Sequence, residues 1–141
     1  MPVATVNYAA IIVCGIINMA LGFLWYGPIF GKQWSKMMGI DMSDKHKMKE
    51  MQKKAGPAYI VMFICSLVMA YILSHFIGYA MAKTAIDGAA TGFWAWLGFI
   101  LPATLGNAMF TGKKLQLWMI DCGYYLVSLL IFGAILAVWV A

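Results

Sequence analysis

PAYIVMFICSLVMAYILSHFIGYAMA, residues 57–82, contains no Asp, Glu, Lys or Arg and a single histidine, His75. At about 1.5 Å of rise per residue, a helix of this length crosses a hydrocarbon core of about 30 Å. Residues 6–26, 88–110 and 115–140 have the same character, and Asp121 is the only charged residue among them. None of these runs alternates as a barrel strand does, and backbone groups in lipid must be satisfied within their own segment, so each reads as a helix. The expected fold is an all-α membrane protein: four transmembrane helices in one bundle, a single domain over residues 1–141. A short interfacial helical segment is expected within the basic loop 27–56.

Composition agrees, since 64% hydrophobic and 11% charged residues give too little charge to disperse a soluble domain. Met1-Pro2-Val3-Ala4-Thr5 has no basic n-region, so the first span is expected to be retained rather than cleaved as a signal peptide.

Lysine sets the expected orientation. Lys32, Lys36, Lys45, Lys47, Lys49, Lys53 and Lys54 lie between spans one and two, Lys113 and Lys114 between spans three and four, and Lys83 alone in the remaining loop. Loops one and three share a side, and the positive-inside rule places that side in the cytoplasm of a bacterial inner membrane, with both termini outside. Trp25, Tyr26, Trp34, Tyr59 and Trp118 then fall near the inner interface. The net charge of +5 is expected to meet anionic lipid headgroups rather than nucleic acid.

Within loop one, Phe30, Trp34, Met37 and Met38 recur at helical spacing, the pattern of a short in-plane helix that Gly39 breaks. Asp41 or Ser43 is positioned to cap a second helix through Lys54, which Gly56-Pro57 is expected to end or to bend into span two.

Small residues at four-residue spacing mark packing faces: Ala10, Cys14, Asn18 and Gly22 on span one, Ser66, Ala70, Ser74, Gly78 and Ala82 on span two, Gly133 and Ala137 on span four. Such ridges supply close contact within a bundle or between copies in a homo-oligomer. Polar residues inside the spans are the candidate site. Asn18, Asn107 and Asp121 all fall roughly 9 to 12 Å in from the lysine-bearing boundary, with Tyr124 and Tyr125 beside Asp121. A carboxylate at that depth is expected to face the bundle interior with a partner, from Asn18, Asn107 or a tyrosine hydroxyl. Two readings stay open: a solute or proton pocket facing the cytoplasm, or a hydrogen-bond knot fixing helix register. Pro102, between Gly98 and Gly106, is a candidate helix break or gate. His75 lies far along span two and reads as a packing residue.

Other chemistry has little support. Cys14, Cys65 and Cys122 have no paired spacing, no metal site or cofactor motif is expected, and the methionines around His46 are too generic to specify copper. No nucleophile and base share a depth, so an enzyme is not expected. The absence of arginine removes the usual bidentate clamp for phosphates and carboxylates.

Trp25-Tyr26-Gly27-Pro28 reads physically as two interfacial anchors, a glycine permitting a sharp turn and a proline stopping the helix. The same aromatic pair could instead line an entrance to the polar layer. Together with Gly22-Phe23-Leu24, Phe30-Gly31-Lys32, Trp34, Gly39, Gly123-Tyr124, Val127-Ser128 and Gly133-Ala134-Ile135-Leu136, this stretch resembles the small bacterial membrane family labelled domain of unknown function 1761. The resemblance covers nearly the whole chain and implies a four-helix membrane protein without an assigned activity. It also implies asparagine in many relatives where this chain has Asp121, and histidine where it has Tyr125, so that hydrogen bonding at that depth is the shared feature. The functional expectations are a small transporter or channel for a solute or protons, or an accessory membrane protein acting through helix packing with a partner.

Overall fold

The computed structural model describes residues 6–39 and 43–139, and every element among them is helical. The order is α1 (Tyr8–Leu24), a π-helical turn (Trp25–Ile29), α2 (Gly31–Met37), α3 (Lys45–Tyr79), α4 (Ala85–Ala95), a second π-helical turn (Trp96–Ile100), α5 (Leu101–Thr111) and α6 (Leu115–Val138). Four continuous helices, Tyr8–Ile29, Lys45–Tyr79, Ala85–Thr111 and Leu115–Val138, are long and apolar enough to cross a membrane. That is the mark of a multi-pass membrane protein.

Local chemistry sets the helix starts. The Asn7 side chain accepts from the Ala10 N–H, Asp44 from His46 and Lys47, and Thr84 from Asp87, satisfying amides that each first turn leaves unpaired. The cap of α3 is therefore Asp44 rather than Ser43, and Asp41 lies outside the described residues. The short helix α2 ends where expected, with Gly39 at φ +72° just beyond it.

Two expected stops are not stops. α3 runs unbroken through Gly56-Pro57 for 35 residues, a rod of about 52 Å. Its apolar part ends at Tyr79, and the Lys45–Gly56 portion extends past any membrane boundary set by Pro57. At Trp25-Tyr26-Gly27-Pro28 the chain does not turn sharply but widens, and the Phe30 N–H reaches back five residues to the Trp25 carbonyl at 2.9 Å. A wider turn accommodates the proline ring, which would otherwise clash with the carbonyl four residues earlier. Gly31 follows because a Cβ there would meet the Tyr26 carbonyl oxygen at 2.7 Å. Span three widens similarly just before Pro102, where the Leu101 N–H reaches the Trp96 carbonyl, and then continues as α5. Pro102 thus sits in the first turn of a continuing helix, and the expected break takes the form of a register change.

α6 is the central helix, in contact with α1, α2, α3, α4 and α5. Phe132, Leu129, Leu136 and Ala137 from α6 meet Ala10, Ile11 and Cys14 of α1 and Ala70, Leu73 and Ile77 of α3 in one buried core. The tightest approach is α4 on α6. A Cβ on Gly88 would strike the Gly133 carbonyl, one on Gly133 the Gly88 carbonyl, and one on Gly92 the Leu129 carbonyl. The expected ridges on α1 and α3 are used through Ala10, Cys14, Asn18, Ser66, Ala70 and Ser74, whereas Gly78 faces outward.

Candidate functional site

Three polar side chains from three helices meet in the buried core. Asn18 of α1, only 1% exposed, donates its amide N–H to the Ser66 hydroxyl of α3. Its Oδ1 accepts from the Ser128 hydroxyl of α6 at 2.6 Å, and its backbone carbonyl accepts from the Tyr124 hydroxyl at 2.9 Å. Ser66 passes its own proton to the Met62 carbonyl at 2.8 Å. The single hydroxyl proton of Ser128 has two acceptors in reach, Asn18 and the Tyr124 carbonyl. Among the described residues no buried side-chain nitrogen or oxygen lacks a partner. Such bonds fix helix register because each helix supplies one member.

Asp121 belongs to a second, more exposed cluster nearer the lysine-bearing end. Tyr26 donates to its Oδ1 at 2.6 Å, and the Lys113 ammonium pairs with its Oδ2. Lys113 reaches it from the turn that follows α5, where Gly112 at φ +70° closes the helix and reverses the chain. Trp34 and Tyr124 both meet the Tyr26 ring edge-on at 5.7 and 5.6 Å, and Tyr125 lies against Tyr124 at 5.4 Å. Tyr124 therefore joins the two clusters, bonded to Asn18 on one side and touching Tyr26 on the other.

The expected trio is not assembled. Asn18 and Asp121 are linked only through the tyrosines, and Asn107 faces outward, as do Pro102 and Gly106. The second π turn explains this. In an unbroken α-helix, Gly92, Trp96, Ala103 and Asn107 would share the face packed on α6. One extra residue in the turn advances the face by about 100°. The positions meeting α6 become Thr104, which accepts from the Trp118 indole at 2.9 Å, and Ala108, which is 3% exposed.

Both π turns open with a tryptophan in a Trp-x-Gly triplet, Trp25-Tyr26-Gly27 and Trp96-Leu97-Gly98, and both indoles turn inward. Trp25 donates to the Ile120 carbonyl and Trp96 to the Cys122 carbonyl, each at 2.9 Å, on either side of Asp121 in the chain. Trp25 and Tyr26 are thus docked onto α6 rather than serving only as interfacial anchors, while Gly27 and Pro28 face outward. Trp25→Phe and Trp96→Phe keep a ring but lose one interhelical bond. Each is expected to cost about 1 kcal/mol in reversible unfolding in mixed micelles, and Trp94→Phe, 66% exposed, to cost nothing measurable.

The expected tyrosine hydroxyl partner of Asp121 is present and comes from Tyr26, whereas sequence reading missed Lys113 beside it and Ser66 and Ser128 as partners of Asn18. Ser128 stands one helical turn beyond Tyr124, a spacing that places both on one face of α6. Ser66 was visible only as a small residue on a ridge. Gly88 and Gly92, four apart, carried the signal for the closest helix contact.

No curated protein and no solved structure matches the chain. A family model described as "Protein of unknown function (DUF1761)" matches residues 9–137, nearly the whole of the sequence that folds into these helices and supplies both polar clusters, and the chain belongs to that family.

Proposed function

We propose that this chain is an accessory membrane protein, a rigid helical body that acts by packing against a partner in the bilayer rather than by moving a solute through itself. Its setting is a bacterial inner membrane, with the lysine-rich loop and the exposed start of α3 in the cytoplasm, facing anionic headgroups, and the termini outside. The observation that carries this reading is the bonding of Asn18 inside the chain. Its amide nitrogen, amide oxygen and backbone carbonyl are held by Ser66, Ser128 and Tyr124, so the largest fully buried polar side chain among the described residues is committed to holding α1, α3 and α6 together. A group already bonded at both its nitrogen and its oxygen inside the protein is a poor solute ligand, because binding would first have to break those bonds.

A second reading, a transporter or proton pathway, draws on the Asp121 cluster. A carboxylate bonded to a tyrosine hydroxyl and a lysine ammonium sits on α6 beside the residues that the π turns of two neighbouring helices dock onto, and π turns are a frequent setting for function. Proteoliposomes under an imposed pH gradient, with and without a panel of small amines and metabolites, separate the two readings. The accessory reading expects flux at the empty-vesicle level from both wild type and Asp121→Asn, with the variant only less stable. Flux from wild type that disappears in a folded Asp121→Asn variant would overturn it in favour of transport.

A further inference from the structure

We infer that this chain pairs with a second copy of itself across α5, with the two Asn107 side chains hydrogen-bonded to each other at the centre of the contact. The inference rests on the accessory reading and names the partner.

Asn107 is out of place for a membrane helix. Its side chain is exposed and makes no hydrogen bond to any described residue, and the one side chain bonded to it, Thr111, takes its backbone carbonyl. It is not a headgroup residue, because Met109 and Phe110, 73% and 96% exposed, lie nearer the end of α5 than it does. Asn107 therefore stands inside the apolar belt. Polar side chains at such positions almost always face protein, since an amide in hydrocarbon has no water to bond. Within one chain the π turn holds it away from α6, so the protein it faces belongs to another chain.

Two features select a second copy. An asparagine amide carries both a donor and an acceptor, so two of them related by a two-fold axis along the membrane normal satisfy each other. Copies inserted with the same topology also bring Asn107 to one depth automatically, whereas an unrelated partner would need a matching polar group at that level. The surrounding face permits close approach: Ala103 and Gly106 are exposed, and a Cβ added at Gly98 or Gly106 would meet nothing within 4 Å. The third span is also the least covered of the four, with 6% of its apolar window buried against 44% for the fourth.

The test is dimerisation of the full chain in liposomes, read by energy transfer between donor- and acceptor-labelled copies as lipid dilutes the protein. Wild type is expected to associate, and Asn107→Leu to weaken association about tenfold with its unfolding midpoint unchanged. In a Cys65→Ser background, Ala103→Cys is expected to cross-link under mild oxidation and Ile64→Cys, on the outer face of α3, is not. Wild type that stays monomeric, or an Asn107→Leu variant that associates as strongly, overturns the pairing. A monomer that also shows no flux would leave the accessory reading standing with a different partner, and solute flux from the monomer would remove both.

Discussion

Gly88→Ala is expected to be among the most damaging single substitutions in this protein, although it adds one methyl group. The methyl would enter space held by the Gly133 carbonyl and lie 2.5 Å from the Ala137 Cβ, and none of those atoms can rotate away. α4 and α6 must separate, and the strain reaches Gly92 against Leu129 one turn further along. Overpacking of this kind costs up to about 3 kcal/mol, and in lipid no hydrophobic term between helices offsets lost contact. Unfolding of the purified protein in mixed micelles of rising sodium dodecyl sulfate fraction should show the loss. Gly133→Ala should match it, and the double variant should cost less than the sum, because one displacement relieves both clashes. Gly106→Ala provides the contrast. That glycine lies within α5 with open space beside it, and alanine there is expected to stabilise by about 0.5 to 1 kcal/mol through helix propensity alone.

The second large effect is expected at Asn18. Asn18→Leu keeps roughly the same bulk but removes the bonds to Ser66 and Ser128. Both serines retain carbonyl acceptors on their own helices, at Met62 and Tyr124, so neither hydroxyl is stranded, and the cost is that of the interhelical bonds. Two such bonds at about 0.6 to 1.7 kcal/mol each give about 1 to 3 kcal/mol. A double-mutant cycle with Ser128→Ala in the same unfolding assay isolates one of them, and a coupling energy near zero would show that Asn18 is held by packing instead. The Tyr124 bond ends on the Asn18 backbone carbonyl and should survive, keeping α1 against α6.

Which parts of this structure were legible in the sequence follows from what a linear pattern encodes. Charge-free length marked the four spans, and four-residue spacing of small side chains placed Asn18 on a packed face. Azimuth was not legible once a π turn intervened: the extra residue at Trp96–Ile100 turned Asn107 out and Thr104 in. Proline pointed to an irregularity at Pro28 and Pro102, but a proline at a helix start and one beside a widened turn leave the same mark in sequence. Nor did composition identify α6 as the central helix, since its mean hydropathy of 1.9 lies between the extremes of 1.3 and 2.3 set by the third and second spans. A tyrosine hydroxyl was legible as a partner of Asp121, but the lysine was not, because Lys113 was assigned to the headgroups, whereas its long side chain folds back to the carboxylate.

The central position of α6 also sets a timetable. A ribosome delivers α1, α3 and the α4–α5 span to the membrane before α6 exists. The first two can join early through Asn18 and Ser66, but the glycines at 88 and 92 and the Trp96 indole have no seat until α6 arrives. Until then the third span has only its slight contact with α3, where Phe76 meets Phe99, and the last span to be inserted acts as the keystone that locks the other three into one body.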